Sequence, residues 1–289
     1  MTDVGKVIFS FDFEIGWGDV TNGIWLKRQN EGVYKKLRAV LPKMLDIMDS
    51  HEIPAIWATV GAMIDRPQDR DFSHLTTFQR NIIDESLLCG RPETFDGRDL
   101  FNRVLDANQA HKIACHSYSH IPFDFQGVTG EFVTQELERF NKAIKSYALS
   151  SDFFVFPENT EKFHTEIQKA GYKMVRVQPD HFFRSRYLYL ATLAVIPPPC
   201  VKEVCTESGL IRHYGSMLFY DAARRHRIPL LKRRVALGLK KVIQEKSGLH
   251  IWGHPFNFAE SDALLKAFQE TLGTIARLRD QGKLEISVL

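Results

Sequence analysis

Residues 6–14 read Lys6-Val7-Ile8-Phe9-Ser10-Phe11-Asp12-Phe13-Glu14, and the rest of the chain is read outward from them. As far as Asp12 the run is rich in β-branched and aromatic residues, the pattern of a buried strand, and two acids interrupt it only at its carboxyl end. Side chains alternate along a strand, so Asp12 and Glu14 share a face and can point into one pocket. An isolated Asp-x-Glu is more often a solvent-facing strand end. Its significance therefore depends on the other 275 or so residues of the chain.

From residue 33 onward, strand and helix alternate. Val33, Leu37, Leu41, Met44 and Met48 recur at three- and four-residue spacing and predict a helix over 33–48 with one apolar face. A second strand is predicted from Ala55 to Val60. Residues 66–97 are polar and rich in Asp, Arg, Pro and Ser, and they read as an excursion that shapes one wall of the site. The alternation resumes with a helix over 99–110, a strand over 112–115, a helix over 131–147 and a strand over 153–156. Beyond these come a helix over 161–170 and a strand over 173–177. Residues 180–220 give no clear pattern apart from a loop marked by Pro197-Pro198-Pro199. A basic helix over 230–245, a strand over 249–252, a helix over 262–280 and a strand over 284–288 complete the series. Short strands alternating with helices imply an α/β fold with a mostly parallel sheet, open or closed into a barrel, with catalytic groups at the carboxyl ends of the strands. No internal repeat is present, and the 289 residues, 44% hydrophobic, suit a single domain over 1–289.

Composition excludes several classes. A net charge of +3 is too small to argue for nucleic acid. No apolar run approaches the roughly 18 residues of a membrane helix. The N-terminal residues lack the pattern of a secretory signal, which predicts a cytoplasmic protein. Cys89, Cys115, Cys200 and Cys205 are scattered and predict reduced thiols in or near the core. The charge is uneven, however: residues 222–246 hold nine Lys or Arg against the single acid Glu245.

Two further stretches suit metal-assisted hydrolysis. His116-Ser117-Tyr118-Ser119-His120 comes directly after the strand ending at Cys115, and on a helical arc its two imidazoles, four apart, would share a face and suit one divalent ion. Leu249-His250-Ile251-Trp252-Gly253-His254 is a strand that ends in glycine with His254 just beyond, placed to give a proton to a leaving amine. His250 lies earlier on that strand and reads as a core residue.

Together the three stretches resemble the polysaccharide deacetylase family, also called carbohydrate esterase family 4 or the NodB homology domain. Its motifs fall here in the family's order. The resemblance implies a distorted (β/α) barrel of about seven parallel strands. It also implies a catalytic Asp12, a metal-binding Glu14 in the manner of branches with Asp-x-Glu rather than Asp-Asp, an intact His-Ser-x-x-His motif in His116 to His120, and a catalytic His254. One motif departs from the family. An Arg a few residues before a Pro normally holds the catalytic Asp, and Phe153-Phe154-Val155-Phe156-Pro157-Glu158-Asn159 has none. Arg176 or His181 of the next strand could substitute, and Asp180 resembles the later acid that tunes the catalytic His.

The activity implied is removal of an N-acyl group, acetyl first, from a sugar during surface polysaccharide biosynthesis. Deformylation of a lipid-linked sugar, or carbohydrate binding without catalysis, are the other readings. Glu14, His116 and His120 would hold one divalent ion, zinc ahead of cobalt, nickel or iron. Asp12 would act as general base, His254 as acid, and backbone N–H groups near Pro157 or Tyr118 would assist. Trp17, Trp25, Tyr118, Trp252 and Phe256 offer flat faces for sugar rings, with ordinary packing the other reading, above all for Trp252. The basic segment over 222–246 suits a phosphate, on a lipid-linked or nucleotide-linked sugar or at a membrane surface touched peripherally, or else a solvated helix face.

Overall fold

A computed structural model of the chain describes residues 4–178, 196–207, 209–221 and 224–289. The opening strand, β1 (Gly5–Phe13), is the axis of the sheet. It pairs in parallel with β2 (Ile56–Thr59), with β9 (Gly248–Gly253) and, at its beginning, with β10 (Leu284–Ser287). Beyond β2 come β3 (Lys112–Cys115), β4 (Phe153–Val155) and β5 (Met174–Val177), each parallel to its neighbour. Such strands are covered on both faces, which explains why their sequences are apolar without alternation.

Residues 180–220, which have no clear pattern in sequence, contain the piece that curls the sheet round. Here β6 (Glu203–Cys205) pairs antiparallel with β7 (Ile211–Tyr214), β7 lies parallel to β5, and β8 (Met217–Leu218) lies parallel to β9. Only Gly215 and Ser216 separate β7 from β8. The Gly215 N–H donates to the Val177 carbonyl and the Ser216 N–H to the His250 carbonyl, so adjacent residues bond to strands from opposite ends of the sheet. With β7 and β8 counted as one bent stave, the path has seven parallel staves among the described residues, in line with the about seven expected; β10 is a further parallel strand beside β1 and β6 a short antiparallel addition. β6 to β8 are two to four residues long and only partly buried, and a period-based reading has little to grip in them.

Helices pack outside. Val33–Ser50 buries Val33, Leu37, Leu41, Met44 and Met48 as its spacing predicted, and Asp262–Asp280 and Gly130–Lys145 bury comparable stripes. Between sheet and helices, Phe9, Phe11 and Trp57 of the strands pack with Phe258 and Phe268 of the helices in one continuous apolar core, and a smaller cluster of Ile8, Ile56, Ala58, Ala114, Phe153 and Val155 lies on the other face of the strands. The polar excursion contains the helix Thr77–Cys89, whose Thr76 and Gln79 cap it reciprocally. All four cysteines are free thiols, as expected; Cys115 is buried and Cys200 partly so, whereas Cys89 and Cys205 are exposed and do not lie in or near the core. Among the described residues no helix is long and apolar enough to cross a membrane.

Candidate active site

The carboxyl ends of β1, β3 and β9 open into a cavity of about 220 Å³ whose lining includes Asp12, Glu14, His116, His120 and His254. Parallel strands place their carboxyl ends on one side, and that is why residues from opposite ends of the chain meet here. One Glu14 oxygen, Oε2, lies 3.1 Å from His116 Nε2 and 2.9 Å from His120 Nε2. The three donor groups stand within 4.8 Å of one another, all buried, and form a cluster that can hold a metal ion. Their chemistry fits a divalent cation: two imidazole nitrogens and a carboxylate are the ligands of catalytic zinc sites. The His116 Nδ1–H donates to the Val155 carbonyl at 2.9 Å, which leaves the Nε2 lone pair facing the cluster.

The histidine loop is not a helical arc, as its spacing had suggested. Ser117 and His120 adopt left-handed backbone angles, with φ of 58° and 62°. Such conformations cost about 1–3 kcal/mol each and need support from their surroundings. The Ser117 hydroxyl accepts the His120 N–H. Glu136, wholly buried on the helix Gly130–Lys145, accepts the Tyr118 N–H at 2.9 Å, the Ser119 N–H at 2.8 Å and the Ser119 hydroxyl at 2.7 Å. His74 of the excursion lies 2.6 Å from Oε1, the oxygen that also accepts the Ser119 hydroxyl, while both N–H groups bond to Oε2. Burial would push the Glu136 carboxyl up, but His74 and these donors hold it below the usual carboxylate range. Sequence reading missed Glu136, because one acid on an amphipathic helix looks like a solvated residue.

Asp12 sits behind the cluster, and its partner comes from β5. Arg176, 1% exposed, sends Nη1 to Oδ1 at 2.6 Å and Nη2 to Oδ2 at 2.7 Å. Burial alone would raise the Asp12 pKa; the charge and hydrogen bonds of Arg176, aided by His116 and His254, bring it below the usual range. Glu14 is likewise pushed up by burial yet held well below its ordinary value by His120, His254 and His116. His254 Nε2 lies 3.7 Å from Asp12 Oδ2 and 3.5 Å from Glu14 Oε1, and with 22% of its side chain exposed it is the most accessible of the group.

A family model described as polysaccharide deacetylase matches residues 30–175, a span that includes the histidine motif. This chain belongs to the polysaccharide deacetylase family. No curated protein sequence matches it significantly. Its fold is similar to that of a protein assigned as a polysaccharide deacetylase from Mycobacterium smegmatis (TM-score 0.63, 13% identity, 98% of this chain and 86% of that one covered). It is also similar to one from Pseudomonas aeruginosa PAO1 assigned likewise (TM-score 0.61, 10% identity, 99% and 89% covered). A 4-alpha-glucanotransferase from Thermococcus litoralis shares the fold over 40% of its own length (TM-score 0.56, 12% identity, 99% of this chain covered). At such identities the likeness concerns the fold alone.

Other candidates of this polysaccharide deacetylase fall elsewhere. Trp17 is 1% exposed, donates its Nε1–H to the Phe95 carbonyl at 2.9 Å and packs against Phe95, so its face is not offered to a sugar. Trp25 is buried against the same ring. Tyr118 is buried too: its hydroxyl donates to Asp65 at 2.8 Å, and its backbone N–H is taken by Glu136 rather than left for an oxyanion. Residues 66–97 line none of the 220 Å³ cavity; Asp69 and Asp71 face a separate one near Arg139 and Tyr147. Pro157 is buried at the start of a turn, Pro157–Asn159, whose Glu158 and Asn159 do line the cavity. Phe256, one of the aromatics expected near the mouth, supplies apolar lining together with Leu218 and Tyr220, which no motif revealed. Asp180 and His181 lie outside the described residues.

Proposed function

We propose that this polysaccharide deacetylase is a metal-dependent hydrolase that removes an N-acyl group, acetyl in the first instance, from a sugar. The observation that carries the reading is the set of five side chains in one cavity: a Glu14-His116-His120 cluster with Asp12 and His254 against it. Those three residues would hold the cation, zinc by donor type, with cobalt, nickel or iron as alternatives the same donors accept. A divalent ion bound there supplies Lewis acidity, which makes water easier to deprotonate and polarises an acyl carbonyl.

The chain's own groups divide the proton transfers. Asp12, kept ionised and oriented by the Arg176 fork, accepts the proton of the attacking water at a free lone pair of Oδ2. His254, beside both acids and open to the cavity, gives its proton to the sugar nitrogen as the C–N bond breaks. Leu218, Tyr220 and Phe256 bound the cavity with apolar surface against which a sugar ring can pack. A binding protein without catalysis would need neither an oriented base nor an accessible acid next to a metal cluster.

The carrier of the sugar is part of the same proposal. The helix Ile228–Glu245 buries Leu231, Val235, Leu239 and Val242 and exposes Lys232, Arg233 and Lys240, a basic face suited to the phosphate of a lipid-linked or nucleotide-linked sugar. On this reading the enzyme works in cytoplasmic biosynthesis of a surface polysaccharide, in peripheral contact with the membrane. The test is metal analysis of the purified protein together with acetate and formate release from N-acylated sugars on both carriers. Acetate release that disappears with a chelator and returns with zinc supports the reading. A metal-loaded protein that binds these sugars without hydrolysing them would overturn it in favour of a carbohydrate-binding role.

A further inference from the structure

Beneath Asp12 the barrel interior holds polar groups that the reaction itself does not use. Arg176 Nη1, besides its bond to Asp12, donates to the Ser10 hydroxyl at 3.1 Å. That hydroxyl lies 2.7 Å from His250 Nε2. The His250 and His213 ring centroids are 5.0 Å apart, and His213 Nδ1 is 3.2 Å from Glu203 Oε1. Ser10, His250 and His213 are fully buried, whereas the Glu203 side chain is half exposed.

Donor and acceptor chemistry fixes the direction of every link. Arginine has no lone pair to offer, so the only acceptor that these contacts provide for the Ser10 hydroxyl proton is His250 Nε2. The proton of a neutral His250 is then on Nδ1. Glu203 can only accept, so His213 carries its proton on Nδ1 and a lone pair on Nε2. His250 Nδ1 and His213 Nε2 are the two ring atoms left, and both are buried without a partner among the described residues. One is a donor and the other an acceptor, on rings 5.0 Å apart and tilted by 58°; no hydrogen bond joins them in this structure, and an N–H···N bond there requires the two rings to turn toward each other. Burial drives both imidazoles toward the neutral form, with Arg176 adding repulsion and, at His213, Glu203 opposing it in part.

We propose that Ser10, His250, His213 and Glu203 form one directed chain of hydrogen bonds that positions Arg176, and through it Asp12. The inference deepens the reading of Asp12 as the base and rests on it. The four are positioning residues: each link polarises the next, so the Ser10 oxygen becomes a better acceptor and holds the guanidinium in the plane of the Asp12 carboxylate. The chain ends on a carboxylate of β6, which gives that antiparallel strand a part in a site on the far side of the barrel.

The test has a readout that needs no substrate. In the intact protein labelled with nitrogen-15 histidine, His250 and His213, assigned through their ring C–H couplings, should both be neutral and protonated on Nδ1 near pH 7. Kinetically, Ser10→Ala and His250→Leu should each lower kcat about tenfold with KM and metal content little changed, the signature of a base set slightly out of place. His250→Gln, whose amide both accepts and donates, should recover part of the loss. Protonation of His250 on Nε2, an imidazolium at either position, or an unaltered kcat in Ser10→Ala overturns the proposal. Failure of the unsubstituted protein to release acetate or formate from any substrate would instead remove the deacylation reading, and the tautomers would still decide whether the chain exists.

Discussion

Arg176 and Asp12 meet fork to fork inside the barrel, two parallel bonds of 2.6 and 2.7 Å joining residues 164 positions apart. A bidentate pair fixes the carboxylate plane as well as its charge, and a lysine cannot reproduce it. Arg176→Lys should therefore lower kcat by about a hundredfold while retaining metal. Arg176→Gln leaves a buried, unpaired acid and should destabilise the fold by about 3 kcal/mol. Adding Asp12→Asn to Arg176→Gln should recover much of that stability and none of the activity, as urea titration and turnover of the double variant will show.

Asp12 and the histidine cluster separate by readout. Asp12→Asn should keep the metal and lose turnover by about a hundredfold or more. His116→Ala should lose metal first. Full occupancy of purified His116→Ala, measured by elemental analysis, would remove that ligand from the site.

Gly18 is a sensitive position for a steric reason. A Cβ there would lie 2.1 Å from Glu14 Oε1 and 2.3 Å from its Cδ, and Glu14 is pinned by two imidazoles. Gly18→Ala should push the carboxylate out of the cluster and weaken metal binding by about tenfold or more, a loss of about 1.4 kcal/mol. Competition with a chelator measures it.

His111 links stability to pH. Burial lowers its pKa from 6.5 to about 4, and its Nδ1 accepts the Ala55 N–H at 3.0 Å. The folded chain prefers neutral His111, so its contribution is complete above pH 6.5, declines as the pH falls and is gone below about 4. Between pH 7 and pH 5 the protein should lose about 1 kcal/mol from this group, the partial exposure of the ring reducing the ideal value. In His111→Asn, which keeps an acceptor for Ala55, urea midpoints should fall less over that interval.

The basic segment over 222–246 is tested by charge reversal. With Arg224, Arg225, Arg233 and Arg234 changed to Glu, binding to anionic liposomes should fall by about tenfold or more. Acetate release from a small sugar without a phosphate should stay constant. Equal liposome binding before and after reversal would reduce the segment to a solvated helix surface.

The main elements and the five side chains gathered in the cavity were legible in the sequence because each depends on local pattern: apolar period for helices, apolar runs for strands, and chemically distinctive residues at strand ends. Arg176 could be named only as one of two substitutes for the missing motif arginine, because its role depends on which strands face each other across the interior, and spacing along the chain carries no such information. Trp17 and Trp25 were misleading because an indole next to a motif looks the same whether it lines a cavity or, as here, packs on Phe95. The histidine loop defied the helical reading because Glu136 and Ser117 support backbone angles that propensity disfavours.

The Gly215-Ser216 bend sets the order in which the molecule can be completed. It joins Val177 to His250, and β1 finds its partner β9 only after residue 248 has been synthesised. Contacts this distant in sequence are slow to form, since chain entropy is lost before they return anything. A nascent or truncated chain ending before His254 would carry both histidines of the motif and both acids yet have no proton donor in the cavity. On the proposed mechanism, such a chain would stay inactive until His254 has been added.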